Sequence, residues 1–317
     1  MKNEVKELFI KSRENPILTA GQWPYPVDRV FNPAAVSYDG ETILLVRVED
    51  RRGFSRLGVA RSADGIKEWK IAPNSAFEPD HQENEHQKGF EDPRVVWVPD
   101  LKKFIIACVS FREDRIDVPY GISLIGTENF RTFTRISKPL DPGNKNASLF
   151  PRKIKGFFAL IHRPVVSGVS YVAVSFSDSD DLRDWRDERV LFSTRPWYWD
   201  SEKIGLACPP IETKEGWVII YHGSQGWAHK LIYRVGLALL DLEDLRLIRR
   251  SEEWVLKPEK DFEGGNSGIV FPCGYTLNKA TGELRVYYGT NDSSVGMAVS
   301  NIKEVLEYLR NCPANED

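Results

Sequence analysis

The chemistry of this 317-residue chain is most legible at Gly89-Phe90-Glu91-Asp92-Pro93-Arg94, which leads into the β-favouring run Val95-Val96-Trp97. Pro93 has no N–H and disfavours helical backbone at the residue before it. Asp92 is therefore expected in an extended or turn conformation at the mouth of a strand, where one carboxyl group can face a cleft and act as a general acid. The plainer alternative is a surface ion pair between Glu91 and Arg94, of a kind that is common and weak. Further polar clusters follow the same format at strand ends. They are Phe31-Asn32-Pro33, Arg47 with Glu49-Asp50-Arg51-Arg52-Gly53, Pro151-Arg152-Lys153, His162-Arg163-Pro164, Lys203-Ile204-Gly205, Tyr221-His222-Gly223, Asn266-Ser267 and Asn291-Asp292. Taken singly, Arg152-Lys153 suits a solvated turn, and His222 suits a hydrogen-bonded structural histidine.

The elements that must position these groups recur along the chain. From Phe31 onward a polar turn, a strand, a charged loop and a second strand repeat five times. The paired runs are 42–48 with 57–62, 103–109 with 120–125, 156–162 with 171–177, 216–223 with 233–240, and 282–289 with 295–299. Their spacing, roughly 50 to 70 residues, is at or above that of propeller blades. Runs such as Trp217-Val218-Ile219-Ile220-Tyr221 are apolar at consecutive positions, as strands covered on both faces are. This pattern predicts an all-β chain, a five-bladed β-propeller occupying residues 1–317 as one domain, with a pair of stacked sandwiches as the structural rival. One helix is expected near the C-terminus. Ile302, Val305, Leu306 and Leu309 share a face, and Asn301 and Glu304 have the spacing of a capping box.

Composition narrows the classes. A net charge of −3 and no basic stripe with interleaved aromatics argue against a nucleic-acid binder. No apolar run reaches membrane-spanning length, and the first residues lack the apolar core of a signal peptide, so a cytoplasmic protein is expected. The four cysteines, Cys108, Cys208, Cys273 and Cys312, fit no zinc spacing and read as reduced thiols. The acidic residues and histidines do not cluster as metal ligands, and no metal or cofactor is expected.

In combination and order, several of these stretches resemble glycoside hydrolase family 130, the β-mannoside phosphorylases. They are Phe31-Asn32, Asp92-Pro93-Arg94, Phe150-Pro151-Arg152-Lys153-Ile154, Ile220-Tyr221-His222-Gly223, Phe271-Pro272-Cys273 and Tyr287-Tyr288-Gly289. The likeness runs from about Asn15 to the C-terminal helix. It implies a five-bladed propeller and an enzyme in which the aspartate matching Asp92 gives a proton to the glycosidic oxygen through a sugar hydroxyl. Inorganic phosphate, the co-substrate, would attack the anomeric carbon from the other face and yield α-mannose 1-phosphate with inversion. An inverting hydrolase needs a second carboxylate to activate water. A phosphorylase needs a cationic cradle for an anion instead. By the resemblance, Arg152, Lys153 and His222 take the phosphate, joined by an arginine of the first unit, for which Arg52 is preferred and Arg51 is the alternative. Asn32, Arg47, Asp50, Lys203 and Asp292 are the candidates for sugar hydroxyls, with Trp197-Tyr198-Trp199 as an aromatic platform at the acceptor side.

Two other functions fit parts of the pattern. A β-mannoside hydrolase of the same fold would use carboxylates in place of the basic set. Glu91 is a weak second acid in an extended chain, because neighbours there point to opposite faces. A non-catalytic glycan-binding propeller would keep the platform without needing Asp92. Linkage (β-1,2 or β-1,4), acceptor sugar and self-association are left open by the sequence, and the loops at 77–88 and 116–120 are where the first two would be decided.

Overall fold

The computed structural model describes residues 7–77, 89–111, 120–140, 143–166, 168–227, 230–265 and 268–315. Its strands form five separate antiparallel sheets. The N-terminal strand β1 (Ile10–Lys11) is set aside for the last of them. Blade I holds β2 (Arg29–Tyr38), β3 (Glu41–Glu49), β4 (Ser55–Ser62) and β5 (Lys70–Ile71). Blade II holds β6 (Phe90–Val98), β7 (Lys103–Phe111), β8 (Tyr120–Thr127) and β9 (Thr134–Ser137). Blade III holds β10 (Asn144–Leu149), β11 (Phe158–Pro164), β12 (Tyr171–Ser177) and β13 (Arg186–Ser193). In blade IV the inner edge is split between β14 (Lys203–Leu206) and β15 (Ile211–Thr213), both paired to β16 (Gly216–Trp227), followed by β17 (Lys230–Leu240) and β18 (Leu247–Arg250). Blade V holds β19 (Val270–Leu277), β20 (Glu283–Thr290) and β21 (Ser294–Asn301), with β1 as its fourth strand. The blades neighbour one another around a closed ring, β2 beside β6, β6 beside β10, β10 beside β14, β17 beside β19, and β19 back beside β2. This is a five-bladed propeller, and the paired runs of the sequence are its middle strands.

Consecutive apolar residues are explained by where each blade face goes. Ile43 and Leu45 join the apolar layer between blades I and II, while Leu44 and Val46 join the layer between blades V and I. Ile105 and Ala107 face blade III, whereas Ile106 and Cys108 face blade I. Two more layers, between blades III and IV and between IV and V, complete five. Each of these middle strands alternates between two cores rather than between core and water, so a polar alternation is missing. The C-terminal helix α1 (Ile302–Arg310) seats Val305 and Leu309 in the layer between blades IV and V. Asn301 caps it by accepting the Lys303 N–H at 3.0 Å. All four cysteines are free and buried. Among the described residues no helix is long and apolar enough to cross a membrane.

The ring is closed by pairing the chain's start with its end, Ile10 with Val299 and Lys11 with Ala298. Lys11 Nζ also lies 2.6 Å from Glu263, whose side chain is fully buried. Burial alone would raise the Glu263 carboxyl, but Lys11 and the N–H groups of Lys260 and Glu259 more than offset it and hold it below the usual range. A Lys11→Met variant leaves that carboxylate buried without its cation and is expected to lose about 3–5 kcal/mol of stability. The Glu263 contribution is complete above the ordinary glutamate range and is lost as pH falls through the depressed value. Urea unfolding should therefore show a large gap between variant and parent at pH 7 that narrows toward pH 3.

Candidate active site

The inner strands of blades I to III carry the same irregularity. Their ladders slip between Phe31 and Ala34, between Glu91 and Arg94, and between Lys145 and Ser148. At each slip sits a residue in the left-handed region, Asn32 (φ 47°), Asp92 (φ 49°) or Asn146 (φ 53°). Asn and Asp enter that region more readily than other side chains. A bulge of this kind breaks the alternation of a strand and re-aims its side chains. As a result Glu91 and Asp92, although consecutive, line one cavity, contrary to the expectation that Glu91 would point elsewhere. Backbone neighbours have been cleared to allow this. A Cβ on Gly289 would lie 1.9 Å from Asn32 Oδ1, and one on Gly205 would lie 2.6 Å from both Asn146 Oδ1 and the His222 ring.

The cavity, of about 260 Å³, opens where the inner strands begin and draws on every blade. Its charged lining consists of Arg47, Lys145, Arg163 and Lys203 against Glu91, Asp92 and Asp292. Asp92 Oδ1 accepts from Asn32 Nδ2 at 2.8 Å and from Arg47 at 3.2 Å. Burial would raise its pKa, but the Arg47 and Arg94 guanidiniums and the Asn32 amide prevail and hold it below the usual range. Glu91 has the opposite fate. Burial pushes it up to about 7 despite Arg47, with the Asp92 carboxylate adding to the rise. Asp292 is also raised, first by burial and then by Asp92. His222 is held well below its ordinary value by burial and by the Arg163 and Arg94 guanidiniums, so it is neutral at pH 7. Its Nδ1 and Asn32 Oδ1 are buried without a hydrogen-bond partner. Buried polar atoms of this kind are normally satisfied, and both residues line the cavity. A larger hollow of about 470 Å³ near Phe9 and Trp254 lacks this convergence. Two of its basic groups, Lys11 and Lys257, lie within ion-pair distance of Glu259 in the same lining.

The sequence model of glycoside hydrolase family 130, described as beta-1,4-mannooligosaccharide phosphorylase, matches residues 10–311. The chain belongs to this family. It is 35% identical to the 1,2-beta-oligomannan phosphorylase of Thermoanaerobacter sp. (strain X514), over 87% of this chain and 91% of that one. It is 32% identical to the beta-1,4-mannooligosaccharide phosphorylase of Ruminococcus albus, over 97% and 92% of the two chains. The solved structure of beta-1,2-mannobiose phosphorylase from Listeria innocua, in complex with beta-1,2-mannobiose, superposes with a TM-score of 0.85 at 25% identity, covering 95% of this chain and 99% of that one.

Within this family-130 propeller, the residues expected from sequence divide into two groups. Asn32, Arg47, Asp92, Lys203, His222 and Asp292 meet at the cavity. Arg152, Lys153, Asp50 and Arg52 do not line it. Arg152 and Lys153 follow the far end of β10, whose beginning is the end that carries Lys145 and Asn146. There Arg152 bonds Glu212 at 2.6 Å and pairs with Glu243 at 3.0 Å, while Lys153 pairs with Asp180 and lies over the Phe158 ring. Arg52 is exposed and ion-paired to Asp50 at 2.8 Å in the turn after β3, with Arg51 beside them. The cavity cations to which the sequence assigns no ligand are Lys145 and Arg163. Arg163 Nε donates to Asn146 Oδ1 at 3.0 Å. His162 is buried, and its ring nitrogens lie 2.7 Å from Asn144 and 2.9 Å from Ser175, which fixes the start of β10. The aromatic triplet also separates. Trp199 is core, stacked on Tyr221, whereas Trp197 is 97% exposed. Asn266-Ser267 and, of the loops 77–88 and 116–120, all but Phe77 and Tyr120 lie outside the described residues.

Arg47 is bonded to three carboxylates, and its loss should be felt in stability as well as in activity. An Arg47→Met variant is expected to be less stable by about 3–5 kcal/mol near neutral pH, because buried carboxylates are left without their cation. In the parent, the Asp92 share of that stability is present above the ordinary aspartate range and lost on acidification. Acid also neutralises the orphaned groups in the variant. Chemical denaturation at pH 7 and pH 4 should show the gap narrow at the lower pH.

Proposed function

We propose that the chain catalyses phosphorolysis of β-mannosides by inorganic phosphate, with inversion, giving α-mannose 1-phosphate and a shortened acceptor sugar. The observation that carries this reading is the makeup of one cavity. Four cationic side chains and a neutral histidine with an unpartnered ring nitrogen surround a carboxyl group held by Asn32 and Arg47. The activities named for the chain's relatives support the same class of reaction.

In this mechanism Asp92, protonated in the substrate complex, supplies the proton taken up by the leaving oxygen as the bond to the anomeric carbon breaks. Phosphate forms the new bond from the opposite face. Monohydrogen phosphate sheds one proton on becoming the ester, and that proton restores Asp92, so the cycle balances. Lys145, Arg163 and His222 take the phosphate in place of Arg152, Lys153 and Arg52. Charged hydrogen bonds of this kind both orient an anion and offset its charge. Asn32, Lys203 and Asp292 remain the candidates for sugar hydroxyls, and Trp197 for the acceptor side. Glu91 and Asp292 give the hydrolytic alternative a second carboxylate, but four lining cations suit an anionic nucleophile better than water.

The test is incubation with β-1,2- and β-1,4-mannobiosides, with and without phosphate, assaying mannose 1-phosphate and free mannose. Mannose 1-phosphate formed only with phosphate is expected. Free mannose released without phosphate would establish the hydrolase. For the cradle, Lys145→Ala or Arg163→Ala should raise the KM for phosphate at least tenfold, as loss of a charged hydrogen bond worth about 1.5–3 kcal/mol implies. Arg152→Ala should leave it within about twofold, since its partners are Glu212 and Glu243.

A further inference from the structure

The bulge at Asp92 brings a second acid to the cavity, and the mechanism above gives it no task. Glu91 and Asp92 share one guanidinium. Arg47 lies 2.5 Å from Glu91, 3.0 Å from Glu49 and 3.2 Å from Asp92, so the proton donor has the longest of three contacts. The side chains of Arg47, Glu91 and Asp92 are each 13% exposed, which keeps water from screening the competition. Around them stand Arg47 and Glu49 from β3, Lys145 from β10 and Arg94 from β6, with Asp292 from the turn after β20 acting on Asp92. Arg94 acts on Asp92 from a fixed distance rather than by pairing with either acid. Its guanidinium is held in place by three hydrogen bonds, to the carbonyls of Asp92, Leu206 and Ala207.

We propose that Glu91 is a positioning residue that sets the protonation of Asp92 by competing for Arg47. An ionised Glu91 draws the guanidinium toward itself and adds a negative charge beside Asp92, and both effects favour a proton on Asp92. A general acid that rests as a tightly paired carboxylate would otherwise be in the wrong state for its work. The two acids then titrate as a pair, which keeps a shared proton to a higher pH than two separate carboxyl groups would. Arrival of phosphate adds further negative charge to the same cavity and pushes the pair toward proton uptake. The kinetic part of this inference rests on the proposed phosphorolysis.

The experiment is a Glu91→Gln variant read in two ways. In the pH profile of kcat/KM for phosphorolysis, activity falls on the alkaline side as the acid loses its proton. Removing the neighbouring charge frees Arg47 for Asp92, so that limb should move to lower pH by at least one unit, with near-parent rates at the acid end and a loss of tenfold or more at pH 7.5. Glu91→Asp, which keeps the charge, should restore most of the limb. A uniform loss at every pH, or an unmoved limb, would overturn the proposal and leave Glu91 a structural ligand of Arg47. The second readout needs no turnover. Carbon-13 NMR titration of the Asp92 carboxyl, assigned with Asp92→Asn, should show its pKa fall in Glu91→Gln by about one unit, and an unchanged value would overturn the proposal. If the parent forms no mannose 1-phosphate at any pH, the phosphorolysis reading fails, while the NMR shift still decides the role of Glu91.

Discussion

The site depends on one buried guanidinium. Arg47 reaches from the second strand of blade I to Glu91 and Asp92 at the inner edge of blade II, and it holds Glu49 of its own strand at the same time. A cation of this kind is costly to bury and is retained only where its partners are also buried and well placed. It therefore fixes the distance between two blades at the point where the acid sits. Its neighbour Arg94 does the same across the ring by donating to the carbonyls of Leu206 and Ala207 in blade IV. Together the two arginines pin the inner strand of blade II from both sides, and Asp92 is presented by an edge that cannot shift without breaking charged hydrogen bonds.

The second constraint is backbone geometry. Three inner strands use a left-handed Asn or Asp at a bulge, and each bulge delivers a polar side chain to the cavity. Radial repetition thus repeats the means of building the site as well as the fold. Blades IV and V contribute by other routes, through Lys203 and His222 on the split inner edge and its partner, and through Asp292 in a hairpin turn.

These features explain what can be read from the chain alone. The middle strands are legible because each faces two apolar layers, and Ile43-Leu44-Leu45-Val46 states this directly in sequence. Inner strands are harder to recognise, since Pro33, Pro93 and Pro272 interrupt their β character while marking where the bulges fall. Asp92 stands out because a proline follows it. Lys145 and Asn146 do not, because the matching bulge in blade III has alanine in the proline position. Arg152 and Lys153 stand away from the cavity for a geometric reason. They lie just past the far end of β10, six or more residues on from Asn146, and a strand of that length carries its two ends to opposite faces of a propeller. Sequence proximity to a motif does not say which face a residue occupies.

On the proposed phosphorolysis, phosphate enters the cavity beside Asp92 and is held by Lys145, Arg163 and His222. The most direct measurement is a crystal structure of the Asp92→Asn variant soaked with phosphate and a β-mannobioside. Phosphate is expected within hydrogen-bond distance of Lys145, Arg163 and His222, on the opposite side of the anomeric carbon from the carboxamide that replaces the Asp92 carboxyl. Phosphate bound at Arg152 and Lys153, or an ordered mannobioside whose anomeric carbon faces no cationic side chain, would contradict it.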